Sequence, residues 1–527
     1  MFALIVFLNA QAQLYYTEQN GVVLAYGIMN EDEKTATVYG VPSEYSIYNE
    51  QTGEYSATIY QDIERITKIS VPGEINGYTV KIASGFNGLP KLEEITFSEG
   101  IEELGENTLA GCVNLAKIYL PHSLQQINKD CFNFCTALTE ITLPQNLNRF
   151  GGYWGVAAFV GCNNLKKLNI LCEHPEWILT MINQEYQDSD GNPLPEYTNI
   201  RETVESIYLG PNVQEFSEHF PFKNLKSIVV DEANSVLDSR EDCNAAILTM
   251  GNKLIIGCNT TRIPNSVATI GHNAFDGTNI EKVQLGSSTK IIESYAFANC
   301  NMLTEVSFDE EEMFIGNNAF DNCQNLKKVT FGPKAQLQTP LSNCPALEEI
   351  TLGENWSLYD SYDAMIFRDC YNVKLVTLGD TYYWKNTNLW TNQLYDDDNP
   401  DIVRRDMVVR SFIKEPSPMQ LYVWVLYNPE TGTTDLIYPQ KLYVPLGTKA
   451  LYEATEDWNL CSEIIEMEED ADRGDVNNDG KVNITDIVFI INTIAKESTY
   501  NSTADINSDG KVNITDIVDV INIIARK

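Results

Sequence analysis

Apolar positions along this chain recur in a unit of about twenty-three residues, Phe-x-x-Cys-x-x-Leu-x-x-Ile-x-Leu, followed by a loop and a second Leu or Ile. The unit runs through Phe86, Leu92, Ile95 and Phe97, then Leu109, Cys112, Leu115, Ile118 and Leu120. It continues through Phe132, Cys135, Leu138, Ile141 and Leu143, then Phe159, Cys162, Leu165, Leu168 and Ile170. From Phe86 to Leu109, Phe132 and Phe159 the steps are 23, 23 and 27 residues. A second run starts at Phe297, Cys300, Leu303, Val306 and Phe308 and repeats from Phe320, Cys344 and Phe367. Weaker copies lie at Leu225-x-x-Ile228-x-Val230 and Ile280-x-x-Val283-x-Leu285. The Ile-x-Leu segment alternates as a short strand does, which predicts that Ile118 and Leu120 point inward and Tyr119 outward. One such coil cannot bury its own apolar side chains, but neighbours stacked on both sides can.

Periods of this length belong to leucine-rich repeats, so the predicted fold class is α/β, a solenoid of stacked coils sharing a parallel sheet. The proline of Leu120-Pro121 and Leu143-Pro144 ends its strand, having no N–H to give the ladder. The residue before the inward Ile alternates in sign, as Glu94, Lys117, Glu140 and Lys167, then Lys282, Glu305, Lys328 and Glu349. In register these charges face one another about 4.8 Å apart, each exposed pair contributing roughly 0.2–1 kcal/mol. Seven of the 12 cysteines (Cys112, Cys135, Cys162, Cys300, Cys323, Cys344 and Cys370) occupy one repeat position, where free Cys packs as a small hydrophobe. Pairing of Cys243 with Cys258, or of Cys131 with Cys172, stays open. Residues 13–60 have Tyr, Val and Thr at strand-like spacing and are expected to cap the exposed end of the stack.

Past the acidic stretch 466–473 the pattern changes. Residues 475–495 and 505–525 agree at 16 of 21 positions with an offset of 30. Each copy opens Asp-x-Asn-x-Asp-Gly-x-x-Asn-x-x-Asp. Laid on a twelve-residue calcium loop, this puts oxygen ligands at Asp475, Asn477, Asp479, Asn483 and Asp486, and at Asp505, Asn507, Asp509, Asn513 and Asp516. Lys481 and Lys511 would ligate through their backbone carbonyls, and Gly480 and Gly510 sit where the loop turns sharply. Two calcium ions are expected. A helix leaves each loop but none enters, with Ile484, Ile487, Val488, Ile491 and Ile494, and their counterparts Ile514, Ile517, Val518, Ile521 and Ile524, on apolar faces.

Charge and composition narrow the function. The 36 Lys+Arg against 74 Asp+Glu give a net charge of −38, which argues against nucleic acid and anionic membrane surfaces. The short apolar run Phe2–Leu8 before Ala10-Gln11-Ala12 reads as the end of a secretory signal peptide lacking its basic n-region, and no later run is long enough to span a membrane. Secretion is expected, with association to a cell surface. No nucleophile elbow, phosphate loop or His-Glu-x-x-His occurs, and the four histidines (His122, His174, His219, His272) lie apart. The repeat residues are committed to packing, so catalysis is not expected; a glycoside hydrolase would need a carboxylate pair fixed in a cleft.

The repeats resemble the BspA-like leucine-rich repeat family of bacterial surface and secreted proteins over about residues 60–465. The blocks Asn234–Arg240, Cys243-Asn244-Ala245 and Ile263–Gly271 support the resemblance, as does a terminal cap, Leu442–Lys449 with Trp458. Departures at about 173–200 and 379–420 read as insertions. Loop-then-helix twice over 474–527 resembles a type I dockerin, which implies calcium-dependent folding and docking to a cohesin module. The resemblance puts the partner contacts at Ile484 and Thr485, and at Ile514 and Thr515. Both halves carry the same pair, which implies a two-fold docking mode. The organisation expected is a signal peptide at 1–12, a cap at 13–60, the solenoid at 61–465, a linker at 466–473 and the dockerin-like domain at 474–527. The function expected is binding or adhesion, with a protein or glycan as the ligand of the solenoid. The alternative is a component of a polysaccharide-degrading system that contacts glycan through Tyr119, Tyr208, Trp384 and Trp390, or hydrolyses it.

Overall fold

Where Ile-x-Leu recurs, β-branched and leucine side chains at alternate positions form strands of three or four residues that bury one face. In the computed structural model these strands stack in register. The described residues are 14–46, 48–49, 54–150, 158–175, 200–214, 222–308, 312–359, 365–380, 390–391, 393–394, 407–416, 424–428, 433–467, 476, 482–495, 504–506 and 511–526. The run 1–12, most of both insertions, Trp384, His219, Asp475, Asn477, Asp479, Gly480, Lys481, Asn507, Asp509 and Gly510 lie outside them. The chain divides into two compact units, residues 1–250 with 257–261, and residues 251–256 with 262–527.

In the first unit, Lys68–Val71, Glu94–Phe97 and Lys117–Tyr119 form one parallel sheet. Glu140–Leu143, Lys167–Ile170, Ser206–Leu209 and Ser227–Val230 form another. The second Leu or Ile of each coil builds a narrower parallel sheet of its own through Leu104, Ile127 and Phe150. That sheet begins with an antiparallel cap, Tyr15–Gln19, Val22–Asn30 and Thr35–Val38, which passes into the parallel ladder at Tyr78–Ala83. Side-chain amides finish strand edges here. Asn244 accepts from the Ile228 N–H at 2.7 Å and donates to the Lys226 carbonyl at 2.6 Å, so one amide stands in for the next strand beside Ser227–Val230. Left open, those groups would cost about 1–3 kcal/mol each when buried and would present a template for pairing.

In the second unit seven strands run parallel in sequence order, from Glu305–Phe308 through Lys328–Phe331, Glu349–Leu352, Leu375–Leu378, Val408–Ser411 and Lys441–Val444 to Glu463–Glu466. The segment Ile280–Leu285 forms no strand, and its inward candidates Val283 and Leu285 are only half-buried, so the burial that would fix a strand there is not reached. Lys282 therefore drops out of the charge column. The remaining neighbours pair in register, Glu94 with Lys117, Glu140 with Lys167, and Lys328 with both Glu305 and Glu349. The Lys167–Glu140 ion pair closes to 2.8 Å. At the C-terminal end of the stack the short helix α1 (Lys449–Ala454) buries Tyr452, whose hydroxyl donates to the Ile413 carbonyl at 2.7 Å and lies 2.6 Å from the Ser411 hydroxyl. Trp458 packs edge-on to the Tyr452 ring.

The return arcs are turns rather than helices, each passing through a left-handed residue just before the cysteine position. Gly111, Gly161, Asn299, Asn322, Asn343 and Asp369 fill that place, all residue types that accept positive φ at low cost. Phe134 is the exception (φ 61°), and its ring lies where a Cβ on Gly161 of the next coil would fall. All 12 cysteines are free and buried, so neither open pairing forms. The ladder cysteines do more than fill space. Six of the thiols donate to the carbonyl of the Phe or Leu that opens the preceding coil: Cys112 to Phe86 (3.1 Å), Cys135 to Leu109 (3.3 Å), Cys162 to Phe132 (3.1 Å), Cys300 to Phe275 (3.2 Å), Cys323 to Phe297 (3.2 Å) and Cys344 to Phe320 (3.1 Å), while Cys370 donates to the Arg368 carbonyl of its own coil (3.3 Å). Burial pushes the Cys112 thiol up to about 11 and those of Cys131, Cys162, Cys300 and Cys461 to about 12, which suppresses the thiolate at neutral pH. A thiol reagent such as Ellman's is expected to label none of the 12 in the native protein and all of them in denaturant; rapid native labelling of any ladder cysteine would contradict this packing.

Candidate calcium and docking site

Each copy of the C-terminal motif begins a helix, α2 (Ile484–Ala495) and α3 (Ile514–Arg526). The starts are fixed by a reciprocal cap written in the sequence as Asn-Ile-Thr-Asp. The Asn483 side chain accepts from the Thr485 N–H at 2.9 Å, while Asp486 Oδ2 accepts from the Asn483 N–H at 2.8 Å. Asn513 and Asp516 repeat this at 2.9 and 2.7 Å. Such a box satisfies two of the donors a helix leaves open, and the carboxylate sits favourably at the positive end of the helix dipole.

The loop-facing acids are buried. Asp486 and Asp516 are 0% exposed and Asp505 6%. Asp516 also reaches back across its loop, Oδ1 accepting from the Ile506 N–H at 2.8 Å, so the last loop position is tied to the second. A buried carboxylate is costly unless paired or bound to metal. The donor set is entirely oxygen, the hard chemistry calcium takes, and these acids fit that role. Among the described residues no group of three or more His, Cys, Asp or Glu side chains forms a metal cluster. Asn483 and Asn513 have their side-chain oxygen turned to the helix N–H, which fits a ninth loop position that ligates through water. Lys511 is exposed, as a residue ligating through its backbone allows.

The two helices share a small core of Val476, Val482, Ile490, Ala504, Ile506 and Val520, with Ile487, Phe489, Val512, Ile517 and Ile524 packed against it. The predicted apolar faces thus divide in two. Ile487 and Ile490 turn inward; Ile484 (71% exposed), Val488 (50%) and Ile491 (48%) form a stripe in solvent at i, i+4 and i+7. The stripe recurs on α3 at Ile514 (71%), Val518 (49%) and Ile521 (47%). Thr485 and Thr515, also exposed, stand beside the first residue of each stripe, so all four predicted contact residues lie on these surfaces. The sequence reading missed Val488, Ile491, Val518 and Ile521 as outward groups. The signal was present: a helix apolar on two sides, only one of which a two-helix core can cover.

The glycan-contact aromatics fare differently. Tyr119 is exposed, whereas Tyr208 is half-buried and donates its hydroxyl to Asp231. Trp390 lies in the strand Trp390–Thr391, paired with Phe367–Arg368. No described helix is long and apolar enough to cross a membrane.

Comparison with known proteins finds two kinds of domain in the chain. The BspA type leucine rich repeat region matches residues 55–177 and 249–374 in six copies, and the dockerin type I domain matches 473–525. Neither is a catalytic kind of domain; type I dockerins bind calcium and dock to cohesin modules, and both kinds are typical of extracellular or cell-surface proteins. No curated protein matches the chain. Among solved structures, the pneumococcal vaccine antigen PcpA is 17% identical, with 86% of this chain and 99% of that one aligned and a TM-score of 0.43. A leucine-rich repeat protein from Bacteroides ovatus is 15% identical over 88% of this chain and 100% of its own, at 0.38. A leucine rich cell surface protein from Faecalibacterium prausnitzii is 15% identical over 69% and 88%, at 0.33.

Proposed function

We propose that this chain, which joins a BspA-type leucine-rich repeat region to a C-terminal type I dockerin domain, is a secreted, non-catalytic binding protein held in an extracellular assembly by a cohesin module. The paired stripes carry the reading. Six branched aliphatic side chains, each near half exposed or more, stand on two helices that the family match assigns to a docking domain. Covering them would return about 25 cal/mol for each Å² of apolar surface removed from water. The stripes are uncharged, so the contact tolerates the strongly acidic chain around it.

The residues that would hold calcium are Asp475, Asn477, Asp479, Lys481 (carbonyl), Asn483 and Asp486, and Asp505, Asn507, Asp509, Lys511 (carbonyl), Asn513 and Asp516, one ion to each loop. Bound calcium would supply the positive charge that lets the buried acids stay ionised. Asp486 and Asp516 then link each loop to its helix, and the helices present Ile484-Thr485 and Ile514-Thr515. The repeat stack, bounded as 61–465 and joined through the linker 466–473, is the part that meets the ligand.

The two-fold repeat of the stripe fixes the test. With two equivalent docking orientations, Ile484→Asp or Ile514→Asp alone removes one and should weaken capture of a type I cohesin only about twofold, the statistical factor. The double variant should lose capture outright, as should the unaltered chain in excess chelator. Titration calorimetry of the full chain against a panel of purified cohesins reads both. Binding to every cohesin unaffected by chelator or by the double variant would overturn the reading.

A further inference from the structure

A second surface, at the other end of the chain, is explained neither by packing nor by docking. Within residues 42–61 two short antiparallel pairs are described, Glu44–Tyr45 with Ile59–Tyr60 and Tyr48–Asn49 with Glu54–Tyr55. The base of the first pair is clamped by Gln61, whose side chain accepts from the Val23 N–H at 2.7 Å and donates to the carbonyls of Val23 and Pro42, both at 3.1 Å. Beyond the clamp the returning strand is exposed on both faces, every residue from Ser56 to Tyr60 being open to solvent. Tyr45 is half-buried against the Tyr16 ring, centroids 5.3 Å apart, whereas Tyr60 stands in solvent and adds nothing to a core. In sequence, residues 42–61 hold Tyr45, Tyr48, Tyr55 and Tyr60 with Glu44, Glu50 and Glu54, and no Lys, Arg or His.

The register sets a tyrosine against a carboxylate. Glu44 and Tyr60 are direct partners across the first pair and so share a face, Glu44 exposed and Tyr60 77% exposed. Among the described residues no cation reaches Glu44. The same unit shows what such a pair does when a cation is available. Glu31 and Tyr78 hold Lys34 between them, its ammonium 3.3 Å from Glu31 Oε2 and 4.8 Å from the centre of the Tyr78 ring, while the Tyr78 hydroxyl donates to Glu31 at 2.7 Å. We propose that the exposed strand pair Glu44–Tyr45 and Ile59–Tyr60 is a recognition surface for a basic polypeptide partner, with Glu44 and Tyr60 together receiving a lysine or arginine side chain. A rigid phenol ring offers contact area at low entropic cost, and the carboxylate supplies the charge that selects a cation. The absence of any cation in the sequence of residues 42–61 disfavours an acidic partner.

The test selects random dodecapeptides displayed on phage against the full-length chain. Enriched peptides should carry Lys or Arg, and their affinity should fall as salt is raised. Tyr60→Ala and Glu44→Gln should together weaken binding roughly threefold to thirtyfold, the combined size of an exposed cation–π contact and an exposed ion pair. Both side chains are exposed, so thermal unfolding of the variants should match the parent and separates lost contact from lost fold. Enrichment of peptides without basic residues, equal binding to the double variant, or no enrichment at all would each overturn the proposal. A glycan array signal that disappears with Tyr60→Ala, in place of peptide binding, would overturn it in favour of carbohydrate.

Discussion

Replacing Phe297 with alanine is expected to lower the stability of the second unit by about 3–5 kcal/mol, the usual cost of emptying a fully buried aromatic site. Phe297 is 0% exposed and lies in a stack three rings deep, its centroid 4.9 Å from Phe275 at 12° and 5.3 Å from Phe320 at 3°. Cutting the middle ring removes two stacking contacts and leaves a void between coils that Cys323, which donates to the Phe297 carbonyl from the next coil, cannot fill. Each coil of a stack is stabilised mainly by its neighbours, so loss at an interface propagates along the unit. Phe297→Leu should cost much less, and Phe412→Ala, at a site 42% exposed, should stay within about 0.5 kcal/mol. Hydrogen exchange of the strands Glu305–Phe308 and Lys328–Phe331 reads the effect locally. Protection there unchanged by Phe297→Ala would mean that the rings do not couple the coils.

That stack was legible in the sequence because every coil repeats the same requirement at the same place. Phe297 and Phe320 are a column because their spacing equals one turn of the chain, and the alternating Glu305, Lys328 and Glu349 give the register independently; Phe275, ahead of the weaker copy at Ile280–Leu285, joins the column only in the structure. What the repeat does not contain, the sequence does not announce. The amides of Asn244 and Gln61 close strand edges against partners 16 and 38 residues away, and nothing local distinguishes them from any surface amide. The strands Glu44–Tyr45 and Ile59–Tyr60 fall inside the expected cap 13–60 because tyrosine, valine and threonine at strand spacing describe a buried cap strand and an exposed one equally well. At the C-terminus the loop spacing pointed to the acids but concealed their second employment. Asn483 and Asn513 were assigned to metal from their place in a twelve-residue count, while their geometry also makes them helix caps. A hydrogen bond two residues along the chain is invisible to a ligand count and plain in coordinates.

This double employment sets the largest effect expected at the docking site. Asp516→Ala removes a proposed calcium ligand and also frees two backbone N–H groups, those of Asn513 and Ile506, that its carboxylate now holds. Each such donor left unmet in a buried place costs about 1–3 kcal/mol, before any loss of metal is counted. The full-length chain with Asp516→Ala should therefore bind one calcium ion where the parent binds two, and α3 amides should exchange rapidly at any calcium concentration while the repeat strands stay protected. Asp516→Asn separates the two roles. Its amide oxygen can still accept one N–H, so part of the cap survives, but it lacks the negative charge and the second oxygen that a carboxylate brings to the twelfth loop position. The asparagine variant should consequently keep measurable protection in α3 yet show the same fall to one ion by titration calorimetry. If both variants still take up two ions with unchanged heat, Asp516 is a helix cap alone and the twelve-residue loop ends elsewhere.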